Sequence, residues 1–147
     1  RRPPRSTQSR SSAASDVYKR QNINNISLLL FFSSFFWIIA YDTAYALCDK
    51  KDDLNLGINS SAITFGSIVV PLFFLFHLTS ILILVYAAVL LNLHISFYPF
   101  VLISFLLAIY QTYLIKDQIS SQCLKAFKNN NWLGLSIFLG SILGVSL

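Results

Sequence analysis

Four apolar segments constrain the fold of this chain more than any other feature of its sequence. They cover about residues 26–47, 68–91, 95–115 and 132–147. A helix that crosses a membrane needs about 20 mostly apolar residues, and the fourth segment is shorter than this. Only 12% of the residues are charged, against about a quarter in a soluble domain. We therefore predict an all-α membrane protein with four transmembrane helices, which has the lipid bilayer as a partner.

The first 21 residues differ in composition from the rest of the chain. They hold six of the eleven Lys and Arg residues and a single acidic residue, Asp16. Their second half, SSAASDVYKRQ, also resembles translated adapter sequence, so we interpret residues 1–21 as a non-native or disordered basic tail. Residues 22–147 then form the folded domain, with five basic and five acidic residues. Because the net charge of +5 belongs to the tail, we predict no nucleic-acid partner.

Lysines in the predicted loops indicate the orientation of the helices. Five lysines lie in two predicted loops. Lys50 and Lys51 lie between the first and second segments, and Lys116, Lys125 and Lys128 lie between the third and fourth. The turn at residues 92–96 contains none. Cytoplasmic loops of membrane proteins are enriched in Lys and Arg, so we predict that both lysine-bearing loops face the cytoplasm. The basic tail would then lie on the opposite side, which supports leaving it out of the domain.

The end of the first segment gathers acidic residues that the rest of the chain avoids. If the helix continues to Asp53, then Asp42, Asp49 and Asp53 lie within about 40° of one another on one helix face. Three further polar side chains flank this row: Asp52, Tyr41 and Tyr45. Carboxylates beside lipid are costly and repel one another, and Mg²⁺, which takes oxygen ligands, would compensate them. The alternative interpretation is a solvated, acidic helix end.

The acidic segment also resembles a known family. YDTAYALCDKKDDLNLGINSSAITFG, residues 41–66, closely resembles the second aspartate-rich motif of UbiA-type aromatic prenyltransferases, and most closely that of the 4-hydroxybenzoate polyprenyltransferases. CLKAFKNNNWLGLSIFLG, residues 123–140, is similar to the C-terminal end of that family. The resemblance implies that the four helices are the C-terminal part of a nine-helix bundle in the bacterial inner membrane. Two positions depart from the family pattern, since Asn59 and Ser61 stand where Lys and Thr are usual.

The resemblance also implies roles for individual residues. It implies that Asp49 and Asp53 hold Mg²⁺ on the diphosphate of a polyprenyl donor, and that Asp42 takes part in catalysis with them. It implies that four neighbouring residues bind substrate: Lys50, Asp52, Tyr41 and Tyr45. The expected acceptor is 4-hydroxybenzoate or a related aromatic compound. Because the first motif of the family, NDxxDxxxD, does not occur in this sequence, we expect the chain to be a C-terminal half that is inactive alone.

Two other kinds of function remain open from the residues. A membrane carrier or cation channel would place Asp42 and Asp49 in its pathway. Such a pathway needs polar residues along several spans, and the second and third segments offer few besides His77, Thr79 and Gln111. We predict that His77 is a hydrogen-bonded packing residue rather than a ligand. A small structural subunit without chemistry is the third alternative, and the ordered motif argues against it.

Overall fold

The computed structural model describes residues 24–146, which form helices and short connections with no strand in that range. The helices are α1 (Asn25–Leu56), α2 (Ser61–Thr64), α3 (Val69–Leu90), α4 (Tyr98–Ile115) and α5 (Ser120–Ser146), with 3₁₀ turns at Gly66–Ile68 and Ile95–Phe97. The predicted all-α fold is therefore confirmed. The predicted basic tail, residues 1–21, lies outside the described residues.

Local sequence signals set both ends of α1. The side chain of Asn24 accepts a hydrogen bond from the backbone N–H of Ser27 at 2.8 Å, which satisfies one free donor of the first helical turn. At the other end, Gly57 has φ 69°, a left-handed conformation that glycine adopts readily after a helix. Between these caps α1 runs unbroken through the acidic segment. The condition on which the predicted carboxylate row depended is met.

Three parts of the described chain are long and apolar enough to cross a membrane: Asn25–Leu56, Gly66–Leu90 and Ile95–Ile115. The predicted number of four spans is corrected to three. The fourth predicted segment forms the C-terminal part of α5, and the asparagines at 129–131 directly before it limit its apolar length. The protein is an integral membrane protein built of helices.

The long helices pack against one another through two clusters of buried side chains. Helix α5 contacts both α4 and α1, and α3 contacts α1. One cluster joins α1 to α3, α4 and α5 beside the acidic segment and includes Ala40, Ala44, Leu47, Phe73, Ile115 and Cys123. The second joins α3, α4 and α5 farther from that segment and includes Ile81, Phe97, Val101, Ala108 and Leu133. Within the first cluster, α1 is held by packing along residues 40–47.

Two glycines of α5 allow it to approach the start of α4 closely. A Cβ atom built on Gly140 would lie 2.7 Å from the Cβ of Phe100, and one on Gly144 would lie 3.0 Å from the Cβ of Phe97. Real Cβ atoms do not sit at the shorter of these distances, so Gly140 has no room for a side chain. Small residues at helix contacts are characteristic of membrane bundles, where close van der Waals packing holds helices together.

Buried polar groups on the spans mostly find partners on neighbouring helices. The Ser33 hydroxyl of α1 donates to the carbonyl oxygen of Ser80 in α3 at 2.9 Å. The Ser136 hydroxyl of α5 donates to the carbonyl oxygen of Phe100 in α4 at 2.8 Å. Such pairing is expected where lipid offers no alternative partner. His77 differs from its predicted role, because its buried Nε2 has no hydrogen-bond partner within residues 24–146. Its ring packs against the ring of Phe73, at 4.8 Å between centroids.

Candidate functional site

The predicted carboxylates occupy the last turns of α1. Asp42 is exposed, and Asp49 and Asp53 are partly exposed. Since the helix is continuous, these three side chains share one face over about three turns, as their spacing predicted. We call this face the carboxylate row (Asp42, Asp49 and Asp53). It is open to solvent or to further protein rather than covered by the described helices.

Aromatic packing fixes the side of the carboxylate row that faces α5. The ring of Phe127 lies between the two predicted tyrosines, with centroid distances of 5.9 Å to Tyr41 and 5.2 Å to Tyr45. Aromatic pairs at these separations are stabilising. Sequence reasoning missed Phe127, although it lies within the stretch CLKAFKNNNW that resembles the family's C-terminal end.

Lys50 and Asp52 line a cavity on the back of α1. The ammonium group of Lys50 donates to the side-chain oxygen of Gln118, in the turn between α4 and α5, at 2.7 Å. The cavity, of about 490 Å³, is also lined by Lys51, Gln118 and Ser120. At about 100° per residue, Lys51 points roughly opposite to Asp42 around the helix axis. Lys50 and Asp52 therefore line the same cavity, and Asp52, about 60° from Asp49 around the helix, also flanks the carboxylate row.

A second cavity lies between α1 and α5 on the same side as Tyr41. We call it the α1–α5 groove; it has a volume of about 500 Å³ and is lined by Ser34, Trp37, Ile38, Tyr41, Asn130, Asn131, Gly134 and Leu135. The indole N–H of Trp37 donates to the side-chain oxygen of Asn130 at 2.8 Å. A Cβ on Gly134 would lie 3.1 Å from the Trp37 ring, so glycine at this position lets the indole lie across α5.

The asparagines of the groove were not predicted as site residues. A signal for them exists in the sequence, because three consecutive asparagines at 129–131 stand directly before an apolar helical stretch. Amide side chains are costly in hydrocarbon without hydrogen bonds, so three in a row indicate a polar interior surface. The predicted start of the fourth span at residue 132 placed them at the membrane edge and hid this signal.

The acidic residues of the carboxylate row form a small set of possible metal ligands. Among residues 24–146 no group of three or more His, Cys, Asp or Glu side chains lies close enough to hold a metal ion by itself. Asp49 and Asp53, one helical turn apart, form a smaller set of two carboxylates. Mg²⁺ is commonly bound by one or two carboxylates together with substrate phosphates and water. The residues therefore fit a metal that is shared with a phosphorylated substrate.

Comparisons with known proteins point to one family. The profile of the UbiA prenyltransferase family matches residues 13–142. A 4-hydroxybenzoate octaprenyltransferase of Nitrosomonas europaea is 43% identical over 118 residues, which cover 80% of this chain and 40% of that protein. Proteins of the same name from Nitrosomonas eutropha and Pasteurella multocida are 44% and 38% identical over 80% of the chain.

The match covers most of this chain but a minor part of its relatives. The chain spans about two fifths of the length of the curated relatives that it matches. No solved structure matches the chain.

Proposed function

Because the chain belongs to the UbiA prenyltransferase family, we propose that its protein transfers a polyprenyl chain from polyprenyl diphosphate to 4-hydroxybenzoate. The observation that carries this proposal is the carboxylate row on an unbroken α1, within a chain 43% identical to a 4-hydroxybenzoate octaprenyltransferase. The row supplies anionic oxygen ligands at the end of an apolar span. That is the place where a lipid-soluble donor with a charged diphosphate end would be held.

In this proposal the residues of α1 have different roles in binding the substrates. Asp49 and Asp53 would hold Mg²⁺ on the diphosphate, and Asp42 would extend the row toward the membrane. The metal would spread the negative charge that the leaving diphosphate gains. Tyr41 and Tyr45, held by Phe127, would contact the substrates on the membrane side. Lys50 and Asp52 would bind substrate only if the rest of the protein extends the cavity behind α1.

The proposed reaction exchanges one bond for another. The allylic C–O bond of the donor breaks, and its electron pair leaves with the diphosphate. The ring carbon ortho to the acceptor's hydroxyl then attacks the allylic carbon and forms a C–C bond. Transfer of the proton from that ring carbon to the released diphosphate would restore aromaticity and give the prenylated 4-hydroxybenzoate. Apolar helix surface around the site would exclude the water that otherwise captures the allylic cation.

We further propose that the protein lies in the bacterial inner membrane with the carboxylate row toward the cytoplasm. Five lysines support this orientation under the positive-inside rule: Lys50 and Lys51 in the last turns of α1, Lys116 after α4, and Lys125 and Lys128 in the first turns of α5. The alternative of a carrier or cation channel would use Asp42 and Asp49 as part of an ion pathway. Similarity to named prenyltransferases over 80% of the chain favours the enzyme.

A chimera tests the proposed function. Residues 22–147 of this chain would replace the matching segment of the Nitrosomonas europaea relative, and the chimera would be reconstituted in lipid vesicles. We expect the chimera to form prenylated 4-hydroxybenzoate from octaprenyl diphosphate only when Mg²⁺ is present. The product is measured by chromatography. The relative without this segment is the control and should be inactive. A well-folded chimera without transfer activity, or one that conducts cations, would contradict the proposal.

A further inference from the structure

The asparagines of α5 lie beside the apolar part of α1 rather than beside its acidic end. At one end of the helix pair, the Ser120 hydroxyl donates to the carbonyl oxygen of Cys48 at 2.9 Å, where the first apolar segment ends. Asn130, ten residues farther along α5, bonds to Trp37. At 1.5 Å per residue Asn130 lies about 15 Å along α5 from Ser120, past the exposed Lys125 and Lys128. It pairs with a residue near the middle of the apolar segment 26–47 of α1.

The three asparagines face different surroundings. Asn129 accepts a hydrogen bond from the buried side chain of Gln111 in α4 at 3.3 Å, and Asn130 accepts one from Trp37 in α1. Asn131 is exposed and lines the α1–α5 groove. Polar side chains at membrane depth face the bundle interior or a cavity, and they mark substrate pathways. We therefore take the groove to be an interior surface of the assembled protein. Asn129 and Asn130 are occupied by the hydrogen bonds above, so Asn131 is the asparagine that can bind a ligand there.

The lining of the groove indicates which part of the reactants it accepts. Trp37 and Tyr41 provide aromatic surface, Asn131 and Ser34 provide uncharged hydrogen-bonding groups, and no lining residue is charged. A diphosphate needs cationic partners that the groove does not offer. An isoprenoid chain has no polar atom for the amides. The phenol end of 4-hydroxybenzoate, an aromatic ring with a hydroxyl group, matches both kinds of lining, and the volume of about 500 Å³ accommodates it. Its carboxylate, like the diphosphate, would lie outside the uncharged groove.

The groove also lies where an acceptor must approach the donor. Tyr41, at its edge, belongs to the flank of the carboxylate row and is eight residues, or about 12 Å along the helix, from Asp49. The groove is on the membrane side of that row. An allylic chain whose diphosphate is held at Asp49 and Asp53 would enter the membrane on this side, so its first carbons would pass beside the groove.

We propose that Asn131 binds the phenolic hydroxyl of the aromatic acceptor in the α1–α5 groove and so selects acceptors that carry this group. This inference rests on the proposed function and adds a specificity residue to it. The amide oxygen of Asn131 would accept the hydrogen bond of the phenol O–H. Donation of that hydrogen leaves the ring richer in electrons at the ortho carbon that attacks the allylic carbon.

A binding experiment on the chain itself tests the assignment without any need for turnover. The chain has two tryptophans, and in the Trp132→Phe variant the remaining Trp37 lies in the groove. With this variant in lipid nanodiscs, 4-hydroxybenzoate should quench the fluorescence saturably and at lower concentration than benzoate. Adding Asn131→Leu should raise the apparent Kd for 4-hydroxybenzoate about tenfold and abolish the preference over benzoate.

Matched variants separate the proposed role from a loss of structure. Asn131→Gln keeps an amide and should recover most of the affinity. Asn129→Leu removes an asparagine outside the groove, and it should leave the Kd for 4-hydroxybenzoate within twofold. Non-saturable quenching, equal affinity for benzoate, or an unchanged Kd in both Asn131→Leu and Asn131→Ser would overturn the assignment. The serine variant serves this purpose if the leucine variant does not fold.

In the active chimera the same substitution gives a second test, based on the KM values of the two substrates. Asn131→Leu should raise the KM for 4-hydroxybenzoate about tenfold while the KM for the polyprenyl diphosphate stays within twofold. Equal changes in both KM values would indicate a structural role and overturn the assignment. An inactive unsubstituted chimera, together with specific quenching of Trp37, would count against the proposed function and not against the binding of a phenol.

Discussion

The two ends of the helix bundle are built differently. At the end away from the acidic segment, Gly140 and Gly144 bring α5 close to Phe100 and Phe97, and Gly140 has no space for a further carbon atom. At the acidic end, α1 presents carboxylates that are exposed or partly exposed. Tight packing at one end fixes how the helices stand relative to one another. At the acidic end another face of α1 carries Ala40, Ala44 and Leu47 into a buried cluster. The exposed carboxylate face can therefore hold charged side chains in place for a ligand without contributing to the core.

The largest effect should follow from removing a charge from the carboxylate row. Asp49→Asn removes a proposed metal-binding charge, so we expect the rate of prenyl transfer by the chimera to fall at least about 100-fold. The thermal unfolding temperature should not change, because the side chain contributes little to the core. The rate is measured by product chromatography under saturating Mg²⁺.

Asp117→Asn is the matched control for this prediction. Asp117 is exposed in the turn after α4 and lies outside the carboxylate row, so its substitution should retain the rate. Normal activity of Asp49→Asn, or an equal loss of activity with Asp117→Asn, would contradict a specific role of the carboxylate row in prenyl transfer.

The packed end should respond in stability instead. Gly140→Val introduces side-chain atoms where a Cβ alone would lie 2.7 Å from Phe100. Overpacking of this kind costs about 1–3 kcal/mol, which we expect as a loss in free energy of unfolding of the chain in mixed detergent–SDS micelles. Val145→Leu, at a position that is 75% exposed, should leave the free energy unchanged. A Gly140→Val variant as stable as the native chain would show that the two ends are packed alike.

A smaller effect is expected at the boundary between the ends, where Trp37 bonds to Asn130. A double-mutant cycle with Trp37→Phe and Asn130→Ala isolates this hydrogen bond. Interhelical hydrogen bonds in membrane proteins average about 0.6 kcal/mol, and we expect a coupling free energy of that size from unfolding in the same micelles. The exposed Trp132 provides the control, since Trp132→Phe with Asn130→Ala should show no coupling. A coupling of zero for the first pair would contradict the contact.

The smallest effect should come from the cavity behind α1. Lys50→Ala removes the hydrogen bond to Gln118 at a partly exposed position, so the free energy of unfolding should change by less than about 0.5 kcal/mol. Gln118→Ala, which removes the other partner, should change it equally little. A loss above 1 kcal/mol in either variant, compared with Gly140→Val, would show that the contact between Lys50 and Gln118 also stabilises the fold.

The sequence alone determined the parts of the protein that depend on one helix at a time. The second and third apolar segments coincide closely with Gly66–Leu90 and Ile95–Ile115, because spanning length and apolar composition are local properties. The carboxylate row followed from the helical period as soon as α1 continued to Asp53. The motif at residues 41–66 identified the family before any contact was known.

Only the tertiary structure decided which faces meet. Helix α5 begins at Ser120 rather than at residue 132, because its first turns pack against α1 and α4 through Cys123 and Ala126. The cavity that Lys50 lines, and the groove in which Asn131 lies, are formed by residues far apart in sequence. Trp37 and Asn130 are separated by 93 positions, and a contact over that distance depends on how complete helices pack, which no local period in the sequence specifies.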